Sequence, residues 1–320
     1  MLDNKIVHYL LSETYIKQLI IKEFYIDVNK VILLKRGIYS DIYKIIDNTK
    51  YSYILKIYRE NFKTNDTLKC EIDFISFLKR NKISVLEYIN SKTNKKFFTI
   101  YICGIKRYAV LMNYIEKSNI LNYNNKNDIQ LFANNVSKLH KISKNYNCRL
   151  EQNDKLFLIK DIIDFFSVYH KNKKSFFEVL INELFEYYYK FDIVKLTKMC
   201  IHGDIHGANF LKINEQFIFI DFDLCGYDYL VSDLSTFLLN LLKDRYDIRI
   251  WNLFIEFYLK NNKEFNKNEL KHIYYFVIIK ELSIIRYYIK STKFLGIDFL
   301  NDSFMNNKIN FLNFLKRRLV

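Results

Sequence analysis

The hydrophobic pattern of this chain changes in character near residues 113–118, and that change limits the possible folds more than any other feature of the sequence. From about Val31 to residue 115, short apolar stretches alternate with polar residues, as in β-strands. Beyond residue 125, apolar residues recur at helical spacing over long stretches. The sequence therefore predicts an α+β chain, with a strand-rich N-terminal lobe over residues 1–113 and a larger, mostly α-helical C-terminal lobe over residues 114–320.

Five strands and one main helix are predicted in the N-terminal lobe. Three short strands form a meander over residues 31–60, and two further strands cover residues 96–102 and 107–115. In the third strand, the alternation of side chains places Lys56 on one face of the sheet. The helix is predicted at 66–80, where apolar residues recur at helical spacing: Leu68, Ile72, Ile75 and Leu78.

The C-terminal lobe is predicted to consist of helices, interrupted by one short loop and a hairpin. The loop covers residues 201–209, and the hairpin follows at 210–223. The predicted helices cover residues 127–142, 155–170, 173–190, 230–243, 249–261, 267–290 and 303–318.

Composition favours a well-packed protein that does not act mainly on nucleic acid. Half of the 320 residues are apolar and 17% are aromatic, which is enough for a substantial core. Glycine occurs only six times and proline is absent, so each glycine carries more information than usual. The formal net charge of +15 comes from lysines scattered along the chain rather than gathered in one block, and a nucleic-acid partner is therefore not expected.

The cysteines and the hydrophobic runs favour a soluble, cytoplasmic protein with no membrane partner. No CxxC occurs, so neither a zinc ribbon nor a disulfide framework is predicted, and reduced thiols are expected. The five cysteines are Cys70, Cys103, Cys148, Cys200 and Cys225. Charged residues interrupt the first apolar stretch, which argues against a signal peptide. No later run reaches the roughly 18 apolar residues of a membrane span.

Chemically useful side chains are concentrated in two neighbouring stretches, IHGDIHGANFL at 201–211 and FIDFDLCG at 219–226. His202 and His206 are spaced as in a zinc-binding HExxH helix, but no glutamate follows His202 and Gly203 disfavours a helix. A serine nucleophile is not supported, because no GxSxG occurs. Cys200 and Cys225 lie in apolar stretches without an obvious activating group.

Phosphoryl transfer fits the same residues better. Such a site needs a carboxylate that orients the attacking hydroxyl and hard oxygen ligands for Mg²⁺. Asp204 and Asn209 have the D-x-x-x-x-N interval of a kinase catalytic loop, and Asp221 follows the β-forming run FIFI, where kinases hold a metal-binding aspartate. All three groups occur in the required order.

Residues 202–209, HGDIHGAN, resemble the HGD-x-H-x-x-N loop of the aminoglycoside phosphotransferase and choline kinase superfamily. Residues 220–223, IDFD, with Gly226 and Asp233 after them, resemble its IDFD…G…DLA stretch. The joint occurrence of the two motifs is specific. The strings RYAVLMNYI at 107–115 and IDFDLCGYDY at 220–229 most resemble the bacterial small-molecule kinase branch. The resemblance implies a bilobal protein-kinase-like fold with an N-terminal nucleotide-binding lobe and a C-terminal catalytic and substrate lobe.

The resemblance also implies matching parts upstream. Lys56 lies on the third strand, where the family places a lysine that contacts the nucleotide phosphates, and Glu71 lies on the next helix, where its partner is expected. Alone, these two residues would be read as a solvated strand lysine and a surface charge. Gly37 and Ser40 stand in the turn that would cover the phosphates, which is otherwise an ordinary hairpin turn.

Further roles are implied by the resemblance alone. Backbone groups of the linking strand are expected to contact adenine, at Met112, Asn113 and Tyr114. Asp204 would orient the hydroxyl, and Asn209 and Asp221 would hold Mg²⁺. Supporting roles fall to His202, His206, Asp223 and Asp233, while His140 is expected to be structural. The expected cofactors are ATP, or GTP, and Mg²⁺.

The phosphate acceptor is expected to be a hydroxyl of a small molecule, with an aminoglycoside-like antibiotic as the leading candidate. Choline or ethanolamine, homoserine, methylthioribose and protein Ser/Thr remain alternatives. A choline site would use aromatic faces, and Trp251, Tyr287 and Tyr288 are available for this purpose, although each fits a core equally well. A non-catalytic nucleotide-binding or structural member is the alternative from another class.

Overall fold

The computed structural model describes residues 11–37, 39–116, 119–147, 155–213 and 216–319, the side chains of residues 293–295 excepted. Cys148 lies outside these ranges. The chain divides into two compact units, the first formed by Met1–Asn119 with Ile213–Ile220 and the second by Ile120–Lys212 with Asp221–Val320. Part of the predicted hairpin after residue 210 therefore belongs to the first unit.

A five-stranded antiparallel sheet forms the centre of the first unit, as predicted. Its order is β1-β2-β3-β5-β4, so β3 is the central strand, and Lys56 on β3 faces Ile42 on one neighbour and Val110 on the other. The strands are β1 (Val28–Arg36), β2 (Ser40–Asp47), β3 (Ser52–Tyr58), β4 (Phe98–Ile102) and β5 (Ile105–Asn113). An extended central strand gives Lys56 a fixed position and direction.

Two helices accompany this sheet. Helix α1 (Glu13–Glu23) was not predicted; Ser12 caps it, and Ile16 and Ile20 belong to the same apolar core as the sheet. Helix α2 (Asn65–Arg80) confirms the predicted helix and begins with a capping box between Thr64 and Thr67. Its buried stripe includes Leu68, Glu71, Ile75 and Leu78, so the carboxylate of Glu71 is carried on a packed face.

The second unit is mostly helical, as predicted, with two differences in detail. The predicted helix at 155–170 is broken at Ile159 and Lys160, whose carbonyl oxygens accept from the third residue ahead (Ile162 and Ile163) instead of the fourth. The predicted helix at 267–290 begins with a 3₁₀ segment and becomes α-helical only at Ile273. The helices are α3 (Lys126–Ser143), α4 (Lys155–Leu158), α5 (Asp161–Val168), α6 (Lys174–Lys190), α7 (Leu230–Lys243), α8 (Ile248–Asn261), α9 (Ile273–Leu295) and α10 (Asp302–Lys316).

Four further short strands come before and after the predicted catalytic loop in the sequence. Strand β6 (Lys198–Ile201) precedes it, and β7 (Phe210–Ile213) and β8 (Gln216–Phe219) follow it. Strand β9 (Gly226–Tyr229) pairs antiparallel with β6, with Ile201 opposite Gly226. This pairing brings the start of the loop at His202 close to the end of the segment that begins with Asp221.

Aromatic packing forms much of the core of the second unit. The ring of Phe132 on α3 contacts Phe237 on α7 and Phe254 on α8 at centroid distances of 5.0 and 5.2 Å. Phe210 packs edge-on against Phe132 at 4.5 Å, which ties the residue after the catalytic loop to this cluster. Within the described residues, no helix has the length and apolar character that a membrane crossing requires.

Candidate catalytic site

The loop after β6 is anchored by a buried carboxylate on α7. Asp233 accepts hydrogen bonds from the backbone N–H groups of His202, at 2.9 Å, and Gly203, at 2.8 Å. Nε2 of His140 lies 3.2 Å from the same carboxylate, and the Nδ1 atom of His140 is 2.9 Å from the Tyr258 hydroxyl. Asp233 and His140 are therefore part of the buried hydrogen-bond network that anchors the loop, and the supporting role of Asp233 in catalysis stays a prediction.

Asp233 remains ionised although it is fully buried. Burial raises the pKa of Asp233, but the hydrogen bond from His140, the nearby histidine charges and the backbone donor outweigh it, so the pKa is lower than usual. An ionised carboxylate can accept both backbone N–H groups at once. The start of the catalytic loop is therefore fixed by a charge-assisted pair of hydrogen bonds.

Asp204 projects from this anchored loop and is contacted from two sides. Nδ2 of Asn209 donates to the Asp204 carbonyl oxygen at 2.9 Å and to its Oδ2 at 3.0 Å. Nε2 of His206 lies 3.3 Å from Oδ2, and Nζ of Lys280 lies 3.3 Å from Oδ1. The Asp204 side chain is still 29% exposed, so a carboxylate held in place by three neighbours remains accessible to a substrate.

The charge of Asp204 is set by these neighbours. Burial raises the pKa of its carboxyl, but the Lys280 ammonium and the His206 ring outweigh that effect and keep the pKa well below its usual range. Such a group is ionised throughout the neutral range and is a weak proton acceptor. It is suited to accept a hydrogen bond from a hydroxyl and to orient it.

Asn209 and Asp221 have the donor chemistry expected of magnesium ligands. Because Nδ2 of Asn209 is bound to Asp204, its Oδ1 is the atom left to bind a cation. Asp221 is exposed and has a left-handed backbone with a φ of 64°. Asp223 is half-buried two residues later.

Among the described residues, no group of three or more His, Cys, Asp or Glu side chains is arranged to hold a metal by itself. This set would need phosphate and water oxygens to complete a Mg²⁺ shell.

Two residues that contact the loop were not predicted from the sequence. The hydroxyl of Tyr123 accepts the N–H of Gly207 at 3.1 Å, and a Cβ atom on Gly207 would lie only 2.4 Å from that oxygen. Lys280 on α9 donates to the carbonyl oxygen of Gly203 at 2.6 Å. Tyr123 has no distinguishing signal in the sequence. Lys280 has one, because it is a charged residue on the same helical stripe as the apolar Ile273 and Val277.

In the first unit, Lys56 and Glu71 are both buried. Nζ of Lys56 lies 5.3 Å from the centroid of the Tyr58 ring. Oε2 of Glu71 accepts a hydrogen bond from Nζ of Lys63 at 2.5 Å, and Oε1 accepts one from the Tyr88 hydroxyl. The pairing of Glu71 with Lys56 stays a prediction, and Lys63 is an additional cation on the same carboxylate that the sequence did not indicate.

The predicted phosphate turn is closed by its own backbone. The Gly37 N–H donates to the Ser40 carbonyl oxygen at 2.8 Å, and a Cβ atom on Gly37 would lie 2.8 Å from that oxygen. Arg59 forms a bidentate ion pair with Asp41 at 2.8 and 2.7 Å and also donates to the Gly37 carbonyl oxygen. The Ser40 side chain is buried, and Ile38 lies outside the described residues.

The predicted adenine contacts lie at the end of β5. Met112 and Asn113 are in the strand, opposite Ile54 and Tyr53 of β3. Tyr114 follows, and its N–H donates to the Ser52 carbonyl oxygen at 3.0 Å. Its N–H is therefore engaged within the protein, which leaves backbone carbonyl oxygens at this position as the groups suited to a base edge.

Comparison with known families decides the assignment. Residues 30–270 match the model of the APH phosphotransferase enzyme family, which covers well over half of the chain. The chain belongs to this family. It is therefore a phosphotransferase. No curated protein sequence matches it.

Solved structures that are similar to this APH phosphotransferase establish that it has the kinase-like α+β fold. An amicoumacin kinase, hAmiN, solved with AMP-PNP, Ca²⁺ and amicoumacin, is 19% identical, with 95% of this chain and 93% of that one covered and a TM-score of 0.70. Choline kinase LicA from Streptococcus pneumoniae is 14% identical, with 94% and 97% covered and a TM-score of 0.66. A spectinomycin phosphotransferase solved with ADP and spectinomycin is 16% identical, with 95% and 94% covered and a TM-score of 0.63.

Proposed function

We propose that this APH phosphotransferase transfers the γ-phosphoryl group of ATP to a hydroxyl of a small molecule, with Asp204 orienting that hydroxyl. The observation that carries the proposal is the Asp204 carboxylate, which is ionised, partly exposed and held by Asn209, His206 and Lys280. A fixed anionic acceptor beside a loop of family-typical sequence can align an attacking oxygen before reaction. Positioning and electrostatics supply most of the catalysis in phosphoryl transfer.

Mg²⁺ is proposed as the metal, with Asn209 and Asp221 as its protein ligands. When bound, Mg²⁺ neutralises charge on the phosphate oxygens. Asn209 uses its amide nitrogen to hold Asp204, so a single side chain both fixes the orienting carboxylate and presents an oxygen. Asp223 supplies a further carboxylate two residues after Asp221.

Lys56 is proposed to neutralise phosphate charge from the central strand of the sheet. Its burial and its place on β3 limit its freedom, and Glu71 is proposed to set its position. Backbone groups of Met112, Asn113 and Tyr114 are proposed to contact the base, and the Gly37–Ser40 turn to cover the phosphates. ATP as the donor agrees with a cytoplasmic location.

An aminoglycoside-like antibiotic is proposed as the leading acceptor. Support comes from the likeness to a kinase of the antibiotic amicoumacin and to a spectinomycin phosphotransferase. Two of the three aromatic residues considered for a choline site pack against other rings: Trp251 on Phe254 at 5.9 Å, and Tyr288 against Phe304 at 5.4 Å in an edge-to-face contact. Each contact occupies part of the ring surface that would otherwise be available to a choline cation.

The proposal is tested by Asp204→Asn together with an acceptor screen. Asparagine keeps the size of the side chain but removes its charge, so turnover should fall by about 10²–10⁴-fold, the range for a positioned acid–base group. Binding of MgATP, measured as a shift of the thermal unfolding transition, should change little. Candidate acceptors are amicoumacin, aminoglycosides, spectinomycin, choline and homoserine, each assayed by ADP release.

Asp192→Asn is the matched control, because the side chain of this surface aspartate pairs only with Lys195 among its described contacts. It should leave turnover unchanged. Near-normal turnover by Asp204→Asn would overturn the proposal. Stabilisation by MgATP without turnover on any acceptor would favour a non-catalytic nucleotide-binding protein instead.

A further inference from the structure

Lys280 lies directly against the catalytic loop but has no role in a minimal phosphotransferase mechanism. Its side chain is only 8% exposed, in the middle of α9, between the fully buried Val277 and Leu282. An ammonium group without acceptors is strongly disfavoured in such surroundings. The presence of a lysine here therefore depends on the groups that receive its hydrogen bonds.

Those groups belong to the loop itself. Nζ of Lys280 donates to the carbonyl oxygen of Gly203 at 2.6 Å and lies 3.3 Å from Oδ1 of Asp204. On the other side of the same residue, the Gly203 N–H donates to Asp233 at 2.8 Å. Gly203 is thus fixed by a buried anion on α7 at its N–H and by a buried cation on α9 at its carbonyl.

Lys280 also completes the restraint on the carboxylate of Asp204. Asn209 and His206 both contact Oδ2, whereas Lys280 contacts Oδ1. A carboxylate held at one oxygen can rotate about its terminal bond, since that torsion is broad. Contacts at both oxygens restrict the rotation and leave the group in one orientation.

We propose that Lys280 is a positioning residue for Asp204: its ammonium fixes the Gly203 carbonyl and Oδ1 of Asp204, so that the carboxylate meets the acceptor hydroxyl in a single orientation. This inference rests on the proposed function, in which Asp204 orients that hydroxyl. Lys280 itself touches neither the nucleotide nor the acceptor in this scheme. Its loss should therefore lower the rate of transfer without weakening the binding of ATP.

The central test is Lys280→Met, with Lys290→Met as the matched control. Lys290 lies ten positions further along the same helix and pairs with Asp161, but it is half exposed. With MgATP and no added acceptor, γ-labelled ATP reports slow transfer to water. Lys280→Met should lower kcat by about 10²-fold, the size expected when a reacting group is misplaced, while the KM for ATP changes less than about twofold. Lys290→Met should behave as the wild type.

A double-mutant cycle separates action through Asp204 from general destabilisation. Added to Asp204→Asn, the Lys280→Met change should alter the residual rate by less than about twofold, because residues that act as one unit are not additive. Lys280→Gln serves as a second variant if methionine prevents folding. It keeps an N–H donor for the Gly203 carbonyl but lacks the charge, and it too should be slow.

The possible failures point to different conclusions. Wild-type kcat in Lys280→Met and Lys280→Gln would overturn the role of Lys280, as would losses that multiply fully in the double variant. An increase in the KM for ATP with unchanged kcat would also overturn it, because Lys280 would then act on the nucleotide. Undiminished turnover in Asp204→Asn would instead remove the proposed function on which this inference rests.

Discussion

Gly203 has a φ of 83°, and a Cβ atom at this position would lie 2.0 Å from the carbonyl oxygen of Leu224. Gly104, in the turn between β4 and β5, has a similar φ of 78° but no atom within 4 Å of the same Cβ position. Both glycines therefore have a left-handed backbone, but only Gly203 also lacks room for a side chain. At the residue scale, a comparison of the two positions separates the cost of a strained backbone from the cost of a steric clash.

Gly203→Ala and Gly104→Ala should destabilise the protein to different extents. Gly104→Ala introduces only the left-handed strain of an alanine, about 1–2 kcal/mol. Gly203→Ala adds a collision with backbone, which raises the loss by roughly 1–3 kcal/mol or more. Urea unfolding of both variants measures the difference. Equal losses would show that the loop can move away from Leu224 without cost.

Sequence reasoning at this scale succeeded for residues that share a motif and failed for those that meet only in space. Asp204 and Asn209 are five positions apart, and their hydrogen bond confirms that the spacing brings them together. Lys280 reaches Asp204 from 76 positions along the chain, and Tyr123 reaches Gly207 from 84. No local pattern encodes such contacts, because they depend on how helices pack.

At the scale of elements, α9 connects the catalytic loop to the helical core through two adjacent charged residues. Lys280 faces the loop. The neighbouring Glu281 is fully buried and forms two ion pairs, one oxygen with Lys243 of α7 and the other with Lys308 of α10. Burial lowers the pKa of Lys243, and Glu281 opposes that effect. Glu281 thus compensates two ammonium groups from two other helices.

Glu281→Gln should be strongly destabilising. It leaves two largely buried ammonium groups without a counter-charge, a situation that typically costs about 3–5 kcal/mol. Glu264→Gln is the control, since the Lys144–Glu264 pair is exposed, with side chains 63% and 68% accessible, and should give no measurable change. The free energy of unfolding in urea provides the measurement. Similar values for the two variants would show that the buried triad contributes no more than a surface pair.

Helices with a long, regular stripe were predicted well, and short or irregular elements were not. The bounds of α2, α3, α7 and α8 lie within one residue of the predicted ones. Strands β6 and β9 have four residues each, too few to show an alternating pattern, and form only because they pair with each other. The break between α4 and α5 lacks proline and glycine, so no local signal marks it.

At the scale of the whole molecule, the lysines are spread over many elements, and several of them form ion pairs. Described lysines pair with carboxylates far away in the sequence: Lys155 with Asp228, Lys173 with Asp302, Lys212 with Asp128 and Lys316 with Glu183. Such pairs connect elements rather than form one basic face. The net charge of +15 still attracts polyanions non-specifically.

Binding to duplex DNA should therefore be weak and governed by salt. Fluorescence anisotropy with a labelled duplex should show an affinity that falls steeply between about 50 and 200 mM salt, as counterion release requires. ATP turnover should not respond to the duplex. Tight binding that persists at high salt, or stimulation of turnover, would make nucleic acid a genuine partner.

At Asp221, whose backbone is left-handed, the residue that the proposed function needs is not the residue that would make the fold most stable. A non-glycine residue with a φ of 64° loses roughly 1–2 kcal/mol relative to glycine, although aspartate tolerates this conformation better than most residues. Selection for a more stable fold alone would favour glycine here, and the proposed metal ligand would disappear. The backbone strain of a non-glycine residue at position 221 thus lowers the stability of the native state, and consensus or stability-based engineering of this chain would have to leave that position unchanged.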